Sequence, residues 1–258
     1  MRGCREPLTR EERRLVCPRH HSFDIARSGY VNLLQPQDKK SKRPGDSGEA
    51  VAARQRLHDR GVSAPLLESI KDAVALGPGE RILDAGCGDG FYLANLAREA
   101  GAEAHGIDIS IPAVNAAAKR YPAFEWIVAN ADRFVPYEDA SFDVVLSITG
   151  RMNPAEFRRV LREDGRLLVA IPAPDDLREL RGEGRDRSAR TIEEFAGEFT
   201  LVQRGVATAS ADLDAAGVGD VLVSIYRPIR KQAPDAMRLT FSLELLLFHA
   251  KRSCRRVC

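Results

Sequence analysis

The stretch ILDAGCGDGFYLANL, residues 82 to 96, decides how the rest of the chain can fold. An apolar run leads into three glycines at alternate positions, Gly86, Gly88 and Gly90, and a helical pattern follows at once. Glycine permits a tight turn and lets the backbone approach a ligand closely at the end of a strand. The stretch therefore predicts a strand, a ligand-binding turn and a helix at the start of an α/β fold.

Apolar strands alternate with helices along most of the chain. Strands separated by helices of about 10 to 15 residues indicate a parallel sheet that is covered on both faces. We therefore predict a doubly wound α/β sheet, and we interpret the apolar tail as its closing strands. The predicted strands are 81–86, 102–108, 124–130, 142–148, 165–171, 199–205 and 239–250, and the predicted helices are 49–60, 66–76, 91–101, 111–121 and 153–164.

Two helix starts carry capping signals. Asp46 and Glu49 have the spacing of a capping box ahead of the first helix. The stretch NPAEF, residues 153 to 157, places Asn153 at a cap position and proline at the first helical position. We interpret NPAEF as a helix start. It therefore does not indicate the N-P-P-Y motif that is found in enzymes that methylate exocyclic amines.

An acidic residue supports the glycine turn as a nucleoside site. Asp108 ends the next predicted strand, 20 residues after Gly88, where a carboxylate can accept both ribose hydroxyls. Dinucleotide folds use G-x-G-x-x-G, but this chain spells G-x-G-x-G after Asp84. That pattern resembles class I S-adenosylmethionine methyltransferases, which implies that Gly86 and Gly88 pack against the cofactor and Asp108 holds its ribose. Asp108 as a helix cap is the alternative, and both roles can coexist.

Charge and composition separate the front of the chain from its body. Residues 1–60 hold 14 Lys and Arg against 8 Asp and Glu, whereas the remainder holds 25 against 29. A basic front end favours contact with a polyanion, although a solvated charged face is the alternative. No stretch approaches the roughly 18 apolar residues of a spanning helix. With five cysteines, an odd number, and no apolar leader, we expect a cytoplasmic protein without a membrane partner.

The front end resembles a known family. The stretch CPRHHSFDIARSGYVNLL, residues 17 to 34, and KKSKRPGDS, residues 39 to 47, resemble the N-terminal region of the bacterial RlmA family. The resemblance continues through the glycine turn, GIDIS at 106–110, AAAKRYP at 116–122 and PAPDDLREL at 172–180. It implies a class I methyltransferase with an N-terminal zinc module that methylates N1 of a guanine in a 23S rRNA hairpin, and it leaves a homodimer open.

The family's zinc pattern, C-x-x-C…C-x-x-x-H, maps onto Cys4, Cys17 and His21. His20 is one position short of that spacing. The first cysteine of the pattern falls at residue 1, which is Met, so either the start was assigned too late or the ligand is lost. We expect the chain to bind zinc substoichiometrically, and Met1→Cys behind a short N-terminal extension to restore about one equivalent.

The resemblance also implies further cofactor contacts, at Ser63, Asp89 and Ala131, the last beside the adenine. Ser63 stands where the family has a tyrosine, and Asp176 stands where it has a histidine. We identify no general base. Two alternatives stay open: a small-molecule methyltransferase of the quinone type would not need the zinc module, and an RNA-binding protein without transfer would be expected to lose the glycines or Asp108.

These observations divide the chain into three parts. Residues 1–34 are predicted to be a zinc-binding, RNA-recognition module, residues 35–78 a basic linker with two helices, and residues 79–258 the methyltransferase domain. Basic residues in the first two parts are candidates for phosphate contact. A flexible, solvated loop is the alternative for residues 39–43. The candidates are Arg10, Arg13, Arg14, Arg19, Lys39, Lys40, Lys42 and Arg43.

Overall fold

The computed structural model describes residue 4 and residues 6–38, 41–42, 44–150, 152–225 and 235–251. The predictions for Met1, Lys39, Lys40 and Arg43 lie outside these residues. The strands are β1 Thr9–Glu11, β2 Arg14–Val16, β3 Ser22–Asp24, β4 Val31–Asn32, β5 Arg81–Ala85, β6 Glu103–Asp108, β7 Glu125–Val128, β8 Phe142–Ile148, β9 Leu161–Pro172, β10 Phe199–Asp214 and β11 Ala236–Ala250. The helices are α1 Gly48–Asp59, α2 Ala64–Val74, α3 Phe91–Ala100, α4 Ile111–Arg120, α5 Pro154–Val160, α6 Arg178–Arg181, α7 Ser188–Phe195 and α8 Ala215–Ser224, with a short 3₁₀ turn at Pro36–Asp38.

Among the described residues, eight strands form one sheet in the order β10-β11-β9-β8-β5-β6-β7-β4. The pairs from β9 through β4 are parallel, and β11 runs antiparallel to both of its neighbours. The chain builds outward from β5 in both directions, so the strand order reverses there. In open α/β sheets a ligand crevice lies outside the carboxyl ends of the strands at such a switch point. The predicted α/β sheet is confirmed, and its centre is the strand that precedes the glycine turn.

The sheet is buried on both faces. Along β5 the side chains alternate, so that Ile82 joins one apolar cluster and Leu83 the other. The first cluster takes its helical residues from α2, α3 and α4, and the second takes them from α5 and α7. Both residues are fully buried. This explains why apolar residues occupy the consecutive positions 82 and 83 of β5 rather than the alternate positions of a one-sided sheet.

The structure confirms one predicted helix start and corrects another. Asn153 caps α5, with Oδ1 accepting from the N–H of Glu156 at 3.4 Å. The first helix is capped by Ser47, whose Oγ accepts from the N–H of Ala50 at 3.1 Å, and not by Asp46. The Asp46 carboxylate forms an ion pair with Arg54 instead, at 2.5 Å.

The helix predicted over 153–164 is too long. It ends at Val160, and the next residues begin β9. Leu161 pairs with Phe142 of β8 and is buried in the second apolar cluster, which contains Leu83. Burial and strand pairing override the helical propensity of Leu161–Asp164, which sequence pattern alone cannot detect.

The front end forms a small sheet that is attached to the edge of the large one. β1, β2 and β3 are antiparallel neighbours, and β4 pairs in parallel with β7. The N–H of Leu33 extends this pairing to the carbonyl of Val128 at 2.9 Å. Ser28 Oγ donates to Asn115 Oδ1 of α4 at 2.8 Å. The front-end sheet is thus connected to the edge where β6 and β7 end. Within the described residues no helix has the length and apolar character needed to cross a membrane.

A tryptophan fills the space that two glycines leave open. A β-carbon on Gly90 would lie 2.4 Å from the Trp126 ring, and one on Gly106 would lie equally close. Trp126 is 1% exposed, and its Nε1 donates to the carbonyl of Tyr121 at 2.9 Å. The indole therefore packs under the glycine turn and supports it from within the core.

We expect Gly106→Ala to lower the free energy of unfolding by about 1–3 kcal/mol, because the added methyl overpacks the core against Trp126. Urea denaturation measures the change. Gly219→Ala is the matched control: a β-carbon there meets no described atom within 4 Å and the position lies inside α8, so it should be neutral or stabilising. Equal stability of the Gly106 variant and the wild type would contradict this packing account.

Candidate cofactor site and zinc centre

The glycine turn joins the carboxyl ends of three strands. Gly86 and Gly88 have φ values of +102° and +54°, which favour glycine. The N–H groups of Gly86 and Cys87 both donate to the carbonyl of Ile107 in β6, at 2.8 and 3.0 Å. On the other side, a β-carbon on Gly86 would lie 3.3 Å from Cα of Gly150, just after β8. The turn is therefore fixed between its neighbours, and its backbone is accessible to a ligand at the switch point.

Asp108 is oriented by two backbone groups. Its Oδ2 accepts from the N–H of Gly88 at 3.0 Å, and its Oδ1 accepts from the N–H of Ser110 at 2.8 Å. Burial raises the pKa of Asp108, although these two hydrogen bonds oppose the shift. A carboxylate offers about four acceptor sites, so the remaining ones can accept ribose hydroxyls. The helix that follows is capped by Ser110 and not by Asp108, so the cap alternative for Asp108 is wrong.

A second carboxyl group lies below the turn. Asp84 is 2% exposed, and its Oδ1 has no hydrogen-bond partner among the described residues. Burial, and then the charge of Asp108, raise the pKa of Asp84 to about 8. A buried polar atom without a partner is costly unless a ligand satisfies it. This orphaned group and the glycine cradle fit S-adenosylmethionine, which brings hydrogen-bond donors and positive charge. The sequence signal for Asp84 was a carboxylate in an otherwise apolar strand.

Asp89 and Ser63 belong to one buried network that is centred on His58. The imidazole Nδ1 lies 2.7 Å from Ser63 Oγ, and Nε2 lies 3.6 Å from Asp89 Oδ1. His58 also stacks on Phe91, with ring centroids 3.9 Å apart. Burial acts to raise the pKa of Asp89, but the contact with His58 and the charge of Arg54 lower it below its usual range. His58 thus ties helix α1 to the turn, a role that the sequence did not reveal.

The other predicted contacts lie at neighbouring strand ends. The carbonyl of Ala131, beyond β7, accepts from Asn153 Nδ2 at 2.9 Å. Asp176 accepts from the N–H of Ser242 at 3.0 Å through Oδ1, and burial raises its pKa. The structure brings Gly88 and Asp108 into direct contact and holds Gly86 on the neighbouring Ile107, while His58 connects Ser63 to Asp89. The role of each in cofactor binding stays a prediction.

The predicted metal ligands come together beside the front-end sheet of β1, β2 and β3, with Cys17 and His21 in the connection between β2 and β3. Cys4 Sγ lies 3.9 Å from Cys17 Sγ, which lies 3.2 Å from His21 Nδ1, and the ligand atoms of all three are within 4.8 Å of one another. Burial acts to raise the pKa of the Cys17 thiol, but backbone hydrogen bonds from His21 and Arg19 lower it. Two thiolates and an imidazole at these distances fit tetrahedral zinc. These residues would hold the ion, and zinc would supply structural stability.

The described candidates for phosphate contact are exposed: Arg10, Arg13, Arg14, Arg19 and Lys42. Two of them already have acidic partners. Arg14 lies 2.9 Å from Glu11, and Arg19 lies 3.4 Å from Glu6. Such exposed pairs contribute little to stability.

The fold and the glycine site define the class of protein: the chain is a class I S-adenosylmethionine-dependent methyltransferase. It matches the family model for the methyltransferase domain over residues 82–170 and the model described as "RlmA, N-terminal", a zinc ribbon, over residues 4–42. It is 37% identical to the 23S rRNA (guanine(748)-N(1))-methyltransferase of Streptomyces fradiae over 227 residues, which are 83% of this chain and 80% of that protein. The chain belongs to the RlmA-type 23S rRNA (guanine-N1)-methyltransferase family.

A second relative agrees with this assignment, and a solved structure agrees with the fold. The chain is 36% identical to a putative 23S rRNA (guanine-N(1)-)-methyltransferase of Micromonospora griseorubida over 199 residues, 69% of this chain and 66% of that one. It also superposes on a solved chain from the complex between the Haloferax volcanii Trm112 methyltransferase activator and a putative methyltransferase. That match has a TM-score of 0.53 and 19% identity, and covers 80% of this chain and 99% of that one, which shows the fold alone.

We expect Asp108→Ala to weaken S-adenosylmethionine binding by about 1.5–3 kcal/mol, because the variant loses charge-assisted hydrogen bonds to the ribose. Isothermal calorimetry measures the change. Asp164→Ala, an exposed acidic residue before Gly165, serves as the control and should bind as the wild type does. Unchanged affinity of the Asp108 variant would remove this residue from the site.

Proposed function

We propose that the chain transfers a methyl group from S-adenosylmethionine to N1 of a guanine in a 23S rRNA hairpin. The observation that carries the proposal is the path of the segment after the zinc module. The carbonyl of Asp38 accepts from Asn130 Nδ2 beyond β7 at 3.0 Å, and the carbonyl of Asp46 accepts from Ser110 Oγ beyond β6 at 2.8 Å. Asp38 and Asp46, which flank the basic stretch in the sequence, are therefore held at the strand ends that form the cofactor crevice. This supports a role for the stretch in bringing RNA phosphates beside the reacting base.

The chain's residues would hold and orient the reactants. S-adenosylmethionine, when bound, supplies a methyl group activated by a sulfonium. Asp108 would fix the ribose, the glycine turn would admit the cofactor's close approach, and Ala131 would lie beside the adenine. The guanine must leave its stack to reach the methyl group, and the ends of β5 and β8 provide the place where it can be held. Orientation supplies much of the rate in such a displacement.

The finer features of the interaction belong to the same proposal. The hairpin as the target, a homodimer, a cytoplasmic location and the division at residues 34 and 78 remain predictions. Support for a homodimer comes from β10, a terminal strand of the described sheet with Val202 and Val206 exposed by 49% and 62%. A terminal strand with exposed apolar side chains is a common surface for association. The zinc ribbon, rather than the methyltransferase core, distinguishes the proposal from small-molecule methylation.

The test is nucleoside mass spectrometry and reverse transcription of 23S rRNA with and without the gene. Methylation at N1 blocks base pairing, so one reverse-transcription stop in a hairpin should disappear in the deletion strain and return on complementation. A complementing Asp108→Ala variant should restore it poorly. An unaltered 23S rRNA together with altered quinones would replace the proposal with the small-molecule alternative.

A further inference from the structure

On the basis of the proposed cofactor binding, we infer that Arg54 binds the carboxylate at the methionine end of S-adenosylmethionine and that Asp46 is the residue that positions it. Neither role follows from the glycine motif, because both residues lie outside the strand–turn–helix unit. Arg54 belongs to α1, and Asp46 precedes that helix.

The first step is the position of the guanidinium. A β-carbon on Gly88 would lie 3.3 Å from Nη1 of Arg54. The guanidinium therefore lies directly on the glycine turn, where the backbone is expected to contact the cofactor. The side chain is 27% exposed, which leaves it open to a ligand in the crevice. A side chain at residue 88 would crowd the Arg54 guanidinium. Glycine at this position therefore makes room for the arginine and also permits the backbone turn.

The second step is the set of donors that remains free. Arg54 Nη2 donates to Asp46 Oδ2 at 2.5 Å and to the carbonyl of Ser224 at 3.3 Å. In the described part of the chain, all hydrogen bonds of Arg54 run through Nη2. A guanidinium has five N–H donors in a fixed planar fork, so anchoring Nη2 orients Nη1 and Nε. Nη1 keeps its N–H donors free, and these can donate to a carboxylate oxygen.

The third step is charge. The carboxylates of Asp89 and Asp108 flank the turn, and they suit the ammonium and the ribose hydroxyls of the cofactor. The cofactor's own carboxylate would be repelled by such a crevice unless a cation faced it. Burial acts to lower the pKa of Arg54, but Asp46 and then Asp89 and Asp108 raise it, so the guanidinium is charged at every working pH. Arg54 supplies the positive charge that a zwitterionic ligand requires at this point.

The fourth step explains how Asp46 is held. A β-carbon on Gly45, whose φ is +79°, would lie 2.6 Å from the β-carbon of Ser110. Only glycine permits this approach, which brings the carbonyl of Asp46 within 2.8 Å of Ser110 Oγ. The segment before α1 is therefore fixed to the end of β6, and the Asp46 carboxylate holds Arg54 at a defined distance from Asp108.

The experiment compares S-adenosylmethionine with decarboxylated S-adenosylmethionine, which lacks only the carboxylate, by calorimetry on the full chain. Arg54→Gln should weaken binding of the first ligand by about 10- to 100-fold and leave the second within about threefold. Arg56→Gln is the control, since Arg56 lies on the same helix but pairs with Asp220 at 2.5 Å. Asp46→Asn should produce a smaller loss, again only for the ligand with the carboxylate.

Three outcomes would overturn the inference: equal loss for both ligands, no loss for either, or an equal effect of Arg56→Gln. If thermal melting shows that Arg54→Gln is unstable, Arg54→Lys, which keeps the positive charge, is used in its place. Arg54→Lys should retain part of the preference for S-adenosylmethionine over the decarboxylated ligand. A complete loss of that preference would count against the inference. A wild-type chain that binds neither ligand would refute the proposed function itself. A wild-type chain that binds both equally would refute the carboxylate contact alone.

Discussion

Asp84→Asn should stabilise the ligand-free protein increasingly as the pH rises, by up to about 5 kcal/mol at pH 8. The pKa of Asp84 is raised to about 8 in the folded chain by burial. Between the ordinary carboxyl pKa and that value, the folded chain retains a proton that the unfolded chain has lost. Stability therefore falls as pH rises through this window and levels off above it. Asparagine keeps the shape of the neutral acid and does not titrate.

Urea denaturation at pH 5 and pH 8 measures this effect as a difference between variant and wild type. The advantage of Asp84→Asn should be about 1–2 kcal/mol at pH 5 and several times larger at pH 8. Asp164→Asn, an exposed substitution, controls for the general effect of removing one negative charge. A difference that does not vary with pH would show that Asp84 is not protonated in the folded chain. The same variant should bind the cofactor less tightly. A buried acid that lowers stability is expected to contribute to function, here by accepting a hydrogen bond from the cofactor.

The parts of the site that could be predicted are local in sequence. The glycine turn follows its strand directly, and Asp108 ends the next strand, so spacing and strand order place them together. The zinc cluster was predicted through the family resemblance, which supplied the spacing of Cys4, Cys17 and His21. The outermost strand β4 was not predicted, since two residues are too few to show a pattern.

The remaining parts depend on packing between distant segments. Arg54 and His58 lie on one helix with ordinary helical spacing, and nothing in that spacing shows that they meet residues 88 and 89. Similarly, Asp46 lies at the sequence position expected of a helix cap, but its carboxylate forms an ion pair with Arg54. The next residue, Ser47, caps the helix instead. Tertiary contacts decide such choices between two locally acceptable partners.

Zinc should be required for the folding of the front-end sheet, and Cys17→Ser should abolish zinc binding. β1, β2 and β3 have three residues each, and all nine are exposed or half-buried. Such short strands cannot supply a core, so a structural metal must contribute the folding free energy, as it does in other small zinc modules. Cys17 is the central ligand of the cluster: it is 3% exposed, and it contacts both Cys4 and His21.

Metal analysis of the purified chains, together with limited proteolysis, tests this expectation. Cys17→Ser should lose its zinc, become cleavable before residue 31, and still bind S-adenosylmethionine, because the glycine site lies in the large sheet. His20→Asn is the matched control, since His20 adjoins the cluster without joining it and its φ of +61° is tolerated by asparagine. The control should keep the zinc content of the wild type. Unchanged zinc in Cys17→Ser, or an equal loss in His20→Asn, would show that the three residues do not form the metal site.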